Sequence, residues 1–251
     1  MILAIIQART NSTRLPRKVF LPLQGKSVIE HIIERTKHSK FIDKIVVATT
    51  TNETDDELVN FLQEKCLVFR GSEDDVLQRF KHCAIEHQAD IIVRLTADDP
   101  LKDPEIIDLA IEKFLQNSET DYCSNTLKPS YPEGLDVEVF SLGALLKADQ
   151  EAKLPSEREH VTPYIWKNPG SFKVINFSHT EDLSAWRWTL DKAEDQQFFE
   201  KIYALFYKPS ELISYRDLIP FLKRNPDIIA INSHILRNEG YFKTLEKDSH
   251  K

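Results

Sequence analysis

The sequence predicts an α/β protein built on a mostly parallel sheet with helices on both faces. Two observations carry that prediction. Short β-rich runs alternate with longer segments of helical periodicity through the first half of the chain. The runs are also almost continuously apolar, as strands covered on both faces must be. Residues 2–8 give the first strand, and Val28, Ile29, Ile32, Ile33 and Thr36 then repeat on one helical face. Residues 44–50 give the second strand, and Leu58, Phe61 and Leu62 mark the next helix. A third strand, 67–69, precedes a helix marked by Val76, Leu77, Phe80, Ala84 and Ile85. A fourth, 91–95, precedes one marked by Ile106, Ile107, Leu109, Ala110, Ile111 and Phe114. Sheets of this kind bind ligands in the crevice beyond the carboxyl ends of their strands.

The pattern loosens after Tyr122. Residues 135–140 alternate strictly and predict a strand with one solvated face. Residues 157–166 read as a helix, 172–177 as another alternating strand, and 186–190 as a strand ending at Asp191. A helix follows over 193–206. The segment from Ser210 onward is expected to hold one more helix and ends in the polar residues 247–251. No internal repeat or low-complexity segment is present. Residues 1–251 therefore read as a single domain, with about 130–177 as an insertion that leaves the main sheet and returns to it.

With 251 residues, 41% of them hydrophobic, the chain can bury a sizeable core. Its 33 Lys and Arg stand against 40 Asp and Glu, a net charge of −7, which argues against a nucleic-acid partner. No stretch approaches transmembrane length, and Arg9 cuts short the first apolar run, so neither membrane insertion nor a signal segment is expected. Cys66, Cys83 and Cys123 lack metal-binding or redox spacing and read as reduced thiols of a cytoplasmic protein.

Chemistry concentrates at strand ends. Directly after the first strand, residues 8–18 read A-R-T-N-S-T-R-L-P-R-K, placing Arg9, Arg14, Arg17 and Lys18 in one loop. No Asp or Glu occurs before Glu30. A basic loop at the carboxyl end of a buried strand, in an acidic protein, points to a polyphosphate site. Arg offers phosphate a planar fork and Lys a point charge, while Ser12, Thr13 and the loop amides add donors. The glycine patterns of a P-loop and of a dinucleotide fold are both missing. Asp98 follows the fourth strand. Asp103 suits the N-cap of the next helix, which leaves Asp98 free for another role. Asp191 is a second strand-end carboxylate, with capping of the following helix as its structural alternative. Two such aspartates and a cationic loop describe a Mg²⁺–nucleoside triphosphate site. After the third strand, Gly71 permits close backbone approach and Ser72 suits a helix cap, with Asp75 behind them. In the middle block, Asn125, residues 131–138 and residues 156–163 offer mixed polar groups for a hydroxylated acceptor, and His160 is the natural titratable candidate.

At these residues the chain resembles the CMP-sugar cytidylyltransferases. Within them it resembles the branch of spore-coat polysaccharide biosynthesis protein F, related to the CMP-Kdo and CMP-sialic acid synthetases. The stretches that carry the resemblance are I-I-Q-A-R-x-x-S-T-R-L-P-x-K (5–18), V-V-A-T-T (46–50), F-R-G-S-E-D-D-V-L (69–77) and D-x-P-L (98–101). Further on are Y-P-E-G-L-D-V-E-V-F (131–140), E-R-E-H-V-T-P-Y-I (157–165) and R-W-T-L-D (187–191). The resemblance implies a Rossmann-like, nucleotide-diphospho-sugar transferase-like fold. It also implies a homodimer in which the 130–177 arm reaches toward the partner's site. It implies that Ala8, Arg9, Ser12, Arg14, Lys18, Arg70, Gly71, Ser72, Asp75 and Asp98 contact CTP, and that Asp98 and Asp191 hold Mg²⁺. Arg14, Lys18, Asp98 and Asp191 would be catalytic. Asn125, Tyr131, Glu133, Asp136, Glu138, Arg158 and His160 would face a sugar-acid-like acceptor. Asn11 and Arg17 stand where the branch often has glycine.

The reaction so implied is attack of an acceptor hydroxyl on the α-phosphorus of CTP with release of pyrophosphate. Two other readings stay open at this point. One is a nucleotide-sugar-dependent glycosyltransferase, although Asp98-Asp99 is contiguous and no clear D-x-D is present. The other is a non-catalytic nucleotide-binding protein.

Overall fold

Residues 1–249 are described by the computed structural model; His250 and Lys251 of the polar tail lie outside the described residues. The first half runs β1 (Ile2–Gln7), the small hairpin strands β2 (Pro22–Leu23) and β3 (Lys26–Ser27), α1 (Val28–Thr36), β4 (Lys44–Thr50), α2 (Asp56–Leu62), β5 (Leu67–Gly71), α3 (Val76–Glu86), β6 (Ile91–Thr96) and α4 (Pro104–Leu115). The second half runs β7 (Tyr122–Ser124), β8 (Glu138–Ser141), α5 (Leu142–Glu151), α6 (Pro155–His160), α7 (Pro163–Lys167), β9 (Val174–Asn176), α8 (Ala193–Phe206), α9 (Tyr215–Arg224), α10 (Pro226–Ile229) and α11 (Glu239–Asp248).

Seven strands form one sheet in the order β5-β4-β1-β6-β8-β7-β9. The four apolar runs of the first half pair in parallel, and β8 runs antiparallel between β6 and β7. Side chains alternate between the two faces along each strand. Ala4, Ile6, Val47, Val93 and Leu95 pack under α1, α2, α4, α8 and α9. Leu3, Ile5, Val46, Ala48 and Ile92 pack under α3, α5 and α7. Both faces are dry, which is why these runs need no polar alternation. Local signals start the helices. Ser27 and Glu30 form a reciprocal capping box on α1. Asp103 caps α4, accepting from the Glu105 amide at 2.9 Å, as its position predicts.

Pairing register builds the site. Gln7 on β1 lies opposite Thr96 on β6. The basic loop and the Ala97–Asp98 turn therefore leave the sheet side by side. Asp55 pins the base of that loop. Its buried carboxylate accepts from the Thr10 amide (2.8 Å), the Thr10 hydroxyl (2.7 Å) and the Thr49 hydroxyl (2.9 Å).

The second half departs from expectation in several places. Residues 135–140 do not form a strand with a solvated face. Only Glu138–Ser141 joins the sheet, and because β8 is interior, Glu138 is buried too. The 130–177 block contributes β8 and β9 to the main sheet, with α5, α6 and α7 between them. The helix expected over 157–166 breaks at Val161, which takes φ +72° one residue before the Thr162-Pro163 junction. Residues 186–190 form no ladder beyond a single bridge between Arg187 and Glu133. The tail from Ser210 holds α9, α10 and α11 where one helix was expected. Ile85 turns out exposed.

Gly134 explains how segment 186–190 docks without strand pairing. Its φ is +103°, and a Cβ there would lie 2.1 Å from the Trp188 carbonyl oxygen. Only glycine lets the two backbones approach so closely. The neighbouring Glu133 then exchanges hydrogen bonds with Trp186 (2.9 Å) and Trp188 (2.6 Å).

Candidate active site

Two cavities open at the carboxyl ends of β1 and β6. The larger, about 830 Å³, is lined by the basic loop, the start of α3, α6 and α11. The second, about 600 Å³, extends over Glu133, Asp136 and Glu138 toward Trp166, Tyr241 and Phe242. Arg14, Arg94, Thr96, Asp98, His160, Asp191 and Gly240 line both and so form the seam between them.

The seam holds a charge knot. The Lys18 ammonium donates to Asp98 at 2.8 Å and to Asp191 at 2.9 Å. Arg14 Nε lies 2.5 Å from the other oxygen of Asp191. Burial opposes ionisation of Asp98, but the adjacent ammonium outweighs it and holds the carboxyl below its usual value. Burial likewise opposes the charge on Lys18, and its two aspartates overcome it and raise its pKa. Asp191 does not cap α8; the Asp195 carboxylate takes the Asp191 and Lys192 amides, each at 2.9 Å. Asp99 accepts from Lys102 and Thr96, each at 2.8 Å, at the wall of the second cavity. Burial pushes its pKa up.

The cations of the larger cavity are Arg9, Arg14, Lys18, Arg79, Arg94, Lys153, Arg158, Lys243 and Lys247, against Glu73, Asp74, Asp75, Asp98, Glu159 and Asp191. The positive excess suits a polyphosphate. The second cavity is mostly acidic and walled by aromatic rings.

Several sequence candidates meet there and others do not. Ala8, Arg9, Ser12, Arg14, Lys18, Asp75 and Asp98 line the larger cavity together. Arg17 takes a left-handed conformation, φ +59°. Its guanidinium turns out to Glu57 at 2.6 and 2.7 Å. Arg70 staples backbone, donating to the carbonyls of Thr50 (2.9 Å) and Asn52 (3.0 Å). Gly71 and Ser72 line neither cavity. A Cβ on Gly71 would lie 2.8 Å from Arg79 Cγ, so this glycine makes room for that side chain. Ser72 is not the cap of α3; Asp75 is, accepting from the Gln78 amide at 2.9 Å.

Glu133, Asp136, Glu138 and His160 line the second cavity, whereas Arg158 lines the first, where it grips Asp75. Burial pushes the Glu133 carboxyl up to about 7, although Arg187 opposes the shift. Asn125 and Tyr131 line neither cavity. Asn125 is sealed in, bridging the Leu135 carbonyl and the Val137 amide at 2.9 Å each. Tyr131 is packed edge-on against Phe177, His179 and Tyr215. Sequence reasoning missed Arg94, which pairs with Glu138 across the β6–β8 register. Arg79 lies on α3, one helical turn beyond Asp75. That side chain is 1% exposed and its Nε has no partner among the described residues. Lys243, Thr244 and Lys247 of α11 were missed as well.

Among the described residues no three His, Cys, Asp or Glu side chains converge as a metal cluster. The protein instead offers two carboxylates around one cation, the Lys18 ammonium. That donor set fits Mg²⁺, which takes one or two carboxylates and leaves its remaining positions to phosphate oxygens and water.

The architecture is that of the nucleotidyltransferases. A CMP-2-keto-3-deoxy-manno-octonic acid synthetase complexed with CTP shares the fold with a TM-score of 0.61 at 18% identity, over 81% of this chain and 97% of that one. The cytidylyltransferase family model matches residues 3–216, and the chain belongs to that family. It is 38% identical to spore coat polysaccharide biosynthesis protein SpsF of Bacillus subtilis over 90% of this chain and 95% of the relative, which places it in that branch. A solved cytidylyltransferase from Leptospira borgpetersenii is 39% identical and superposes with a TM-score of 0.86, over 91% of this chain and 96% of that one. No helix among the described residues is long and apolar enough to cross a membrane.

Proposed function

We propose that the protein transfers CMP from CTP to a hydroxyl of a sugar acid or a related hydroxylated acceptor, releasing pyrophosphate, in surface polysaccharide or glycoconjugate synthesis. The observation that carries the reading is the meeting of Lys18, Asp98 and Asp191 at the seam between a cationic and an acidic cavity. The triphosphate occupies the cationic side, held by Arg9, Ser12, Arg14 and Lys18, and Arg79 adds a buried charge. The acceptor occupies the second cavity, its hydroxyls against Glu133, Asp136 and Glu138 and its ring beside Trp166 and Tyr241. Attack at the α-phosphorus then falls at the seam. Preorganised cations facing the departing pyrophosphate lower the barrier because they need no reorganisation as charge develops.

Asp98 and Asp191 would hold Mg²⁺. When bound, it would neutralise phosphate charge and acidify the attacking hydroxyl. Lys18, which holds the place between the aspartates, would then be free to pair with the phosphates. The names of the relatives support CTP and a sugar-acid acceptor: one is a synthetase bound to CTP, another a polysaccharide biosynthesis protein. Pairing each of the four NTPs with sugar acids and with neutral polyols in a pyrophosphate-release screen tests the reading. CTP with a sugar acid should release pyrophosphate fastest. Release of a nucleoside mono- or diphosphate from a nucleotide sugar, with no pyrophosphate from any NTP, would replace this reading with glycosyl transfer.

A further inference from the structure

His160, the last residue of α6, lines both cavities, so it stands where an acceptor hydroxyl would meet the α-phosphate. Its neighbours fix which ring nitrogen carries the proton. Nε2 lies 3.2 Å from the Thr244 hydroxyl on α11. That hydroxyl has one proton, and both the Glu159 carboxylate and the Gly240 carbonyl, each at 3.1 Å, compete for it. With its proton committed to either, Thr244 can only accept from the imidazole. Nε2 therefore bears the hydrogen and Nδ1 the lone pair. Among the described residues Nδ1 has no hydrogen-bond partner and is not fully buried, on a residue that lines both cavities.

The backbone is held as firmly as the ring. Tyr241 meets the imidazole edge-on at 5.1 Å. The Thr162 amide donates to the His160 carbonyl at 2.8 Å across Val161, whose φ of 72° and ψ of −55° make a strained γ-turn. For a β-branched residue such a conformation persists only where its surroundings over-determine it.

We propose that His160 is the catalytic base of the transfer, with Thr244, anchored by Glu159, as the residue that sets its tautomer. This rests on the cytidylyl-transfer reading and adds a group to it. The acceptor oxygen bonds to the α-phosphorus, the bond from that phosphorus to the bridging oxygen breaks, and pyrophosphate departs. The hydroxyl proton passes to His160 Nδ1 and leaves the imidazolium for pyrophosphate or solvent before the next turnover. In the free protein the ring is neutral at pH 7. Burial first, then Arg94 of β6, push its pKa down to about 4, against the pull of Glu159 on its own helix, Glu138 of β8 and Asp248 of α11. Lys247 of α11 lies 3.9 Å from Glu159 and blunts that pull. A bound triphosphate is an anion and raises the pKa toward the range in which a base works best.

The test follows pyrophosphate from CTP and the acceptor that releases it fastest, with CTP binding titrated separately by calorimetry. His160→Gln is expected to lower kcat about 100-fold and abolish the acid limb of the kcat profile, with CTP affinity unchanged. Thr244→Val should lower kcat about tenfold and Thr244→Ser should restore it. Near-normal kcat in His160→Gln, or an unaltered acid limb, overturns the proposal. Equal kcat in Thr244→Val and Thr244→Ser overturns the tautomer assignment. If the wild type releases no pyrophosphate with any acceptor, the cytidylyl-transfer reading itself fails and takes the inference with it.

Discussion

The Leu190 amide donates to the Asp98 carbonyl at 2.7 Å. This bond ties a segment outside the sheet to the turn after β6. It places Asp191, 93 residues away in sequence, beside Asp98 and within reach of the same ammonium. The whole site depends on that docking.

Gly134 is the point where the docking is most exposed to substitution. A methyl group on it would meet the Trp188 carbonyl at 2.1 Å, in a backbone conformation that alanine resists. Gly134→Ala is expected to cost more than about 3 kcal/mol of stability, measured by urea unfolding. It should lower turnover even where the protein still folds, because Asp191 moves with Trp188.

Lys18 neutralises two aspartates at once. Lys18→Met leaves them facing each other and is expected to destabilise the protein by about 3 kcal/mol at pH 7. The sign with pH follows from Asp98, whose folded pKa is depressed. Its pairing contributes stability above the unfolded carboxyl value near 4 and loses it as pH falls through the folded value. The gap between wild type and Lys18→Met should therefore narrow below about pH 4 in thermal melts. A gap of constant size would show that the ammonium does not set that carboxylate.

Asp55 touches neither cavity, yet it fixes the loop that carries Arg9 and Arg14. Asp55→Asn exchanges one acceptor oxygen for a donor among donors and is expected to cost about 2 kcal/mol. CTP affinity should fall about tenfold with it, since the phosphate ligands lose their rigid base. Unchanged affinity in a folded variant would detach the loop from the hub.

The first half of the fold was legible because its strands are apolar on both faces and its helices carry one periodic stripe each. Arg14, Lys18, Asp98 and Asp191 were legible because strand ends in such sheets are where ligands bind. Asp191 reached the site by another route than the one expected, through Gly134 and the Leu190 amide in place of a strand. Arg94 was hidden because it sits inside an apolar strand and its partner Glu138 comes from a strand 44 residues later. Asn125 and Tyr131 looked like site residues because polar and aromatic groups serve cores as readily as ligands. The break at Val161 had only Pro163 to announce it. The short polar helix α11 offers little apolar pattern, so its place over the site is settled by contacts with α6 that no local signal encodes.

Calorimetric titration of CTP into the wild type and Asp191→Asn, with and without Mg²⁺, tests the central claim most directly. Convergence of the cationic loop and both aspartates on one metal-bound triphosphate predicts that Mg²⁺ tightens CTP at least about tenfold in the wild type, a gain of about 1.4 kcal/mol. It predicts little gain in Asp191→Asn. Equal gains in the two proteins, or none in either, would contradict it.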